Sequence, residues 1–200
     1  MQLALTLWRS SGASFNPFCG EEISLELHPF EFQEIEDRYL LRKHIPVQID
    51  LSGIAKGHIV DRVVEFLKRE LPHASGIVNA GGDLKFFNTL KRCTTLRLGS
   101  SHNPIVRNVV STAECVASSS PSIAEQVEHS STHYYLPLRE NLTVNHTAVV
   151  MSHCCCLADS LTKVALFGTK EAVAACAEEF HSQIYIFSPA GALVESYGEP

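Results

Sequence analysis

The sequence has no apolar run of the roughly 18 residues that a membrane-crossing helix needs. It also has no basic run, no RNA-binding signature and no zinc-finger spacing. With a net charge of −6, it is therefore not expected to take nucleic acid as a main partner. No positive leader accompanies the short apolar opening Met1–Trp8, so that stretch fails as a signal peptide. Charge is sparse, at 19% of residues, and internal repeats are absent. Cysteine is not lacking, but a disulfide framework is. The seven cysteines are odd in number, Cys154, Cys155 and Cys156 are adjacent, and 200 residues fold without staples. Reduced thiols in a cytoplasmic setting are expected.

What is present is enough apolar material, 45%, for a proper core, and a length that suggests one domain over residues 1–200. After turns at Ser10–Ala13 and Asn16–Pro17, the acidic, non-periodic stretch Glu21–Tyr39 reads as a loop or short strands. Val47, Ile49 and Leu51 alternate with polar residues, as a half-buried strand does. Beyond Gly57, the spacing of Ile59, Val60, Val63, Val64, Leu67 and Leu71 predicts a helix stopped by Pro72, with Asp61, Arg62, Glu65, Lys68 and Arg69 on its polar face. Ile77-Val78 predicts a short strand, and Leu84–Phe87 and Thr95–Leu98 are expected to pair. The serine-rich stretch 111–133 reads as loop or irregular strand. Thr147–Met151 predicts a buried strand, Ala158–Phe167 and Lys170–His181 helices, and Ile184–Phe187 a last strand. Strands and helices interleave, so an α+β fold of mixed layers follows: a mixed sheet with helices packed on it.

Five segments could carry chemistry. Asp50-Leu-Ser-Gly-Ile-Ala-Lys-Gly-His58 reads as strand, glycine turn and helix start, with Ala55-Lys56-Gly57 at the helix N-terminus. Free N–H groups and a lysine there suit a phosphate, although an ordinary connection with a surface lysine fits the spacing equally. Asn79-Ala-Gly-Gly-Asp83 lets backbone approach a ligand, or is simply a hairpin turn. Asp159, Thr162 and Lys163 share one helix face. Carboxylate plus hydroxyl suits a hard cation such as Mg²⁺, and a helix-stabilising aspartate paired with Lys163 is the plainer alternative. His133, ahead of Tyr134-Tyr135, is a candidate acid or base. The adjacent cysteines, taken as strand residues, point alternately and read as small buried hydrophobes, with metal or thiol chemistry as an outsider.

Together these segments resemble the FAD:protein FMN transferase (ApbE) family. The resemblance is carried by Gly12-Ala-Ser-Phe-Asn-Pro17, by Asp50–Gly57 with Asp61 following, by Val78-Asn-Ala-Gly-Gly-Asp83 and by Ala158-Asp159-Ser-Leu. It implies Mg²⁺-dependent transfer of FMN from FAD to a threonine hydroxyl of an acceptor flavoprotein, with AMP released. It also implies that an upstream part of the family domain is missing from this chain. Asp50, Lys56, Asn79, Gly81, Gly82 and Asp83 would contact FAD. The Gly53 carbonyl, Asp159 and Thr162 would hold the metal, and His133 would serve near the attacking hydroxyl. The match departs at Lys163, where the family has threonine, and at Leu136, where it has aspartate. An ammonium at 163 would either supply the cation's charge or block its site. A non-catalytic flavin-binding module and hydrolysis of FAD to FMN and AMP are the other readings.

Overall fold

The computed structural model describes residues 1–18, 23–35, 38–90, 92–98, 105–111, 113–120, 142 and 146–198. Helix α1 (Gln2–Ser10) opens the chain and buries Leu7 and Trp8 completely. The hairpin β1 (Phe30–Ile35) and β2 (Arg38–Lys43) follows, then the long helix α2 (Ser52–Glu70). Next come β3 (Gly76–Ala80), β4 (Asp83–Phe87), β5 (Cys93–Leu98), β6 (Ile105–Val110) and β7 (Cys115–Ser119). Strand β8 (Thr147–Ser152), helices α3 (Cys155–Phe167) and α4 (Lys170–Glu179), and strands β9 (Gln183–Phe187) and β10 (Leu193–Tyr197) complete the described elements.

Six strands form one sheet in the order β10-β9-β8-β7-β4-β3, and each pairing within it is antiparallel. The α+β class expected from the sequence holds. Alternation along the strands divides two cores. Ala148, Val150, Cys115, Ala117, Ile184 and Ile186 face α2 and α3, whereas Val149, Met151, Val116, Leu84 and Phe86 face a two-stranded layer made by β5 and β6. This is why β8 is buried along its whole length. A third cluster joins Leu5 and Trp8 of α1 to Phe18, Phe30 and Val47.

Several expectations need correcting. Residues 47–51 form no strand; Val47 is buried against α1 and the Asp50 amide donates to Pro17 O at 2.9 Å. β5 does not pair with β4 but with β6, because its apolar face is needed as a cover on the far side of the sheet. The apolar opening is a helix, and the serine-rich region contributes a central strand, β7. In α2 the buried face runs through Gly53, Ile54, Gly57, Val60, Asp61 and Val64, leaving Ile59 and Phe66 more than half exposed.

That rotation has a cause at Gly57. A Cβ there would stand 2.2 Å from the carbonyl oxygen of Cys155 and 2.8 Å from Cys156 Cα, so the two helices cross in backbone contact. Glycine at the crossing point, flanked by Ile54 and Val60, thus sets the contact face. Gly57→Ala is expected to lower the unfolding free energy by about 3 kcal/mol through forced separation of α2 and α3. The check is the urea midpoint; one that did not move would show that the crossing accepts a methyl group.

Candidate functional site

Strand β4 turns Leu84 and Phe86 toward the β5–β6 layer, so its other face presents Asp83 and Lys85 to α2. Both are buried, and both meet a charge of opposite sign. Lys85 Nζ donates to Asp61 Oδ1 at 2.7 Å, and Lys56 Nζ lies 3.0 Å from Asp83 Oδ2. The two pairs have different work.

Asp61 is structural. Its Oδ1 also accepts from the Cys155 amide at 3.0 Å and its Oδ2 from the Cys156 amide at 2.8 Å. These are the first N–H groups of α3, whose own N-cap residue, Cys154, contributes no side-chain bond. A carboxylate borrowed from α2 therefore caps α3 and complements its dipole. Burial pushes the Lys85 ammonium down, yet its hydrogen bond to Asp61 carries it above the usual lysine range. Asp61 thus lies on the buried face, not on the polar face that its spacing suggested.

The other pair is less settled. Neither Asp83 oxygen accepts a well-oriented hydrogen bond, although the side chain is only 1% exposed. Burial, then the charge of Asp159, raises its carboxyl from 3.8 to about 7, against the opposing pull of Lys56 and Lys163. Lys56 therefore faces a carboxyl that holds its proton much more firmly than an ordinary aspartate does. Its side chain remains 41% exposed. An ammonium poorly neutralised and open to solvent is suited to a phosphate.

Asp159, on α3, lies beside this pair. Its Oδ2 accepts from Gly57 N at 3.3 Å, which puts it directly under the residue after Lys56. Its Oδ1 accepts from Lys163 Nζ at 2.7 Å, one helical turn on. Lys163 Nζ also reaches Thr162 Oγ1 at 3.1 Å and Asp159 O at 3.4 Å, and Thr162 Oγ1 donates to Asp159 O at 2.6 Å. Ser160 Oγ donates to Cys156 O at 2.8 Å and lies 3.5 Å from the Gly53 carbonyl oxygen. Lys56, Asp83, Asp159, Thr162 and Gly53 thus lie in one neighbourhood.

Other expected residues have quieter settings. α2 begins at Ser52, so Gly53 is helical rather than a turn, and residues 55–57 lie beyond the free N-terminal amides. The Ala55 amide bonds to Leu51 O at 2.8 Å, so what this segment offers an anion is the lysine side chain and not free amides. Asp50 Oδ1 accepts from Ser52 N at 2.7 Å at the start of α2. Gly81 and Gly82, at φ +62° and +100°, make the tight β3–β4 turn, and Asn79 Oδ1 accepts from Gly82 N at 3.2 Å. That segment is locally the hairpin, and it delivers Asp83 to the site. His133 lies outside the described residues.

The cysteines are corrected too. Cys155 and Cys156 begin α3 instead of continuing β8. Asp61, Cys115 and Cys155 bring their donor atoms within 4.8 Å of one another. As a metal centre this group is a poor one: both Asp61 oxygens are already engaged. A hydrogen bond with Cys115, then burial, drives the Cys155 thiol far up, and burial pushes Cys156 up to about 12. A cavity of about 620 Å³ near α4 and β10, lined by Glu178, His181 and Tyr197 among others, shares no residue with the charged cluster. The site is assigned by its charges, not by size.

The comparisons with known proteins add to this geometry. The ApbE family model matches residues 1–187. The chain belongs to the ApbE family. Among solved structures, the flavin transferase ApbE from Vibrio cholerae is similar at 19% identity and a TM-score of 0.67, over 98% of this chain and 72% of its own. The ApbE protein of Thermotoga maritima matches at 17% identity and a TM-score of 0.70, over 97% and 73% of the two chains. The Pseudomonas stutzeri flavinyl transferase ApbE matches at 16% and 0.65, over 98% and 70%. These likenesses bear on the fold. Among curated proteins none matches this chain. Among the described residues, no helix is long and apolar enough to cross a membrane.

Two expectations follow for measurement. Asp61→Ala leaves Lys85 buried without its partner and strips the α3 cap, which should cost about 3–5 kcal/mol of stability in urea unfolding. The Asp83 carboxyl is raised in the folded state, so folding holds a proton that the unfolded chain has lost, and this group's contribution falls as pH rises from about 4 to about 7. Asp83→Asn should flatten the pH dependence of the urea midpoint across that window; an unaltered slope would contradict the raised carboxyl.

Proposed function

We propose that this chain binds FAD at the Lys56–Asp83–Asp159 cluster and transfers its FMN part to a threonine hydroxyl of an acceptor flavoprotein. The observation that carries the reading is the convergence, on one face of α2, of the segments that bear the family's motifs. Lys56, Asp83 and Asp159 come from three distant parts of the chain and share one charged site.

In this reading the threonine oxygen bonds to the FMN phosphorus while the pyrophosphate P–O bond breaks. AMP leaves with the electron pair, and a base takes the hydroxyl proton, the role in which His133 is proposed. Lys56 holds the negative charge that gathers on the phosphates, its ammonium positioned by Asp83 and reachable from solvent. A phosphate arriving beside Asp83 favours its protonated form, so the carboxyl yields the ammonium to the ligand. Asp50, Asn79, Gly81 and Gly82 are proposed to border the flavin nucleotide.

Magnesium was expected from the resemblance, and here the donor set disagrees. Both oxygens of Asp159 and the hydroxyl of Thr162 each have a partner within the protein, and Lys163 Nζ is the partner of two of these three oxygens. As arranged, these residues do not fit a divalent ion, and no step is assigned to one. The same observation favours a second reading, a flavin-binding module without turnover. A cytoplasmic location remains part of the proposal.

AMP release from FAD, measured with and without a threonine-bearing acceptor, separates these readings. Transfer predicts acceptor-dependent AMP, hydrolysis predicts AMP without acceptor, and a binding module predicts none. Lys56→Met should weaken FAD binding, followed by flavin fluorescence, by roughly tenfold or more. Undiminished affinity would remove Lys56 from the site.

A further inference from the structure

An ammonium has three N–H donors and no acceptor. Lys163 Nζ meets three oxygens: Asp159 Oδ1 at 2.7 Å, Thr162 Oγ1 at 3.1 Å and Asp159 O at 3.4 Å. Its side chain is 12% exposed, while that of Asp159 is 1% exposed. The donors and acceptors are thus matched in number, inside the protein, on a helix with a fixed one-turn spacing. Nothing in this arrangement resembles a surface lysine that happens to lie near an aspartate.

We infer that the Lys163 ammonium is the resident cation of the site, a covalently tethered charge lodged among the oxygens that a divalent ion would need. The inference rests on the flavin reading for its ligand, but not for its geometry.

Two physical consequences follow. Mg²⁺ requires about six oxygens at close to 2.1 Å in octahedral order and gives up water reluctantly. The only side-chain carboxylate on α3 at this point is already neutralised, and a dication would have to enter against Lys163 and Lys56. Binding of a free ion therefore competes with a partner that is always present at high effective concentration. Second, the charge balance is set without an added ion. Lys163 stands against Asp159 and Lys56 against Asp83, so each carboxylate of the site already has its own ammonium. The dinucleotide would bind equally well in the absence of divalent metal.

The variant that reverses this is Lys163→Thr. It removes the tethered charge and frees Asp159 Oδ1, and it places a hydroxyl one turn beyond the carboxylate on the same helix face. Mn²⁺, seen by electron paramagnetic resonance, serves as the probe for the Mg²⁺ position. The wild-type chain should take up no more Mn²⁺ than Asp159→Asn does, and its FAD affinity should be equal in EDTA and in excess Mg²⁺. Lys163→Thr should bind about one Mn²⁺ per chain, and its FAD affinity should fall roughly tenfold in EDTA and return with Mg²⁺, as linkage requires. Asp159-dependent Mn²⁺ binding by the wild type would overturn the inference, and that measurement needs no substituted lysine. A wild-type FAD affinity that collapses in EDTA would overturn it as well. If no form of the protein binds FAD, the flavin reading fails, while the manganese contrast still decides which cation owns the site.

Discussion

The crossing of α2 over the first turn of α3 governs the arrangement of everything charged in this molecule. Two residues make it possible. Gly57 has no side chain where the Cys155 backbone passes, and Asp61, one turn later, reaches the α3 amides that the chain's own cap position leaves unbonded. Exposed backbone at a buried helix end is costly, and a carboxylate is the strongest acceptor available for it. The carboxylate is itself affordable in the interior only because Lys85 stands against it. Once the helices meet in this way, Gly57 N is beside Asp159, and Lys56 is carried over β4.

Much of the fold was legible because it follows short periods. The β-branched, apolar run of β8, the stop at Pro72, and Gly81-Gly82 between β3 and β4 each produce the element that their local chemistry predicts. Thr169 before α4 does the same, accepting from Ala172 N at 3.2 Å. The site was legible through the motif segments, which do converge. Spacing alone left a turn or a surface lysine equally open.

What escaped notice did so for a reason that can be named. Hydrophobicity put Ile59 and Val63 with Val60 and Val64 on the inner face of α2, but that face takes in Gly53, Gly57 and Asp61 beside Ile54, Val60 and Val64, and glycines carry no hydropathy signal. Lys85 alternates with Leu84 and Phe86 and therefore reads as solvent-facing. Both faces of this sheet are covered, so its polar side is as buried as its apolar side. The signal that could have exposed this is the apolar alternation of β5, which has value only as a second layer. The cysteines were read as strand residues because β8 precedes them. Cys154 is in fact extended and the helix begins at the next residue, an end set by Asp61 from 94 positions away in sequence.

The order of charges along the two elements has a consequence of its own. Lys56 and Asp61 are separated by about 7.5 Å of helical rise, and Asp83 and Lys85 by about 6.6 Å of strand, so the pairs match as two notches do on a ruler. Because the signs are reversed between helix and strand, sliding α2 by one notch in either direction sets aspartate against aspartate or lysine against lysine. Apolar contact alone would tolerate such a slip. The paired charges oppose it, and so act as a vernier that fixes where along β4 the helix comes to rest.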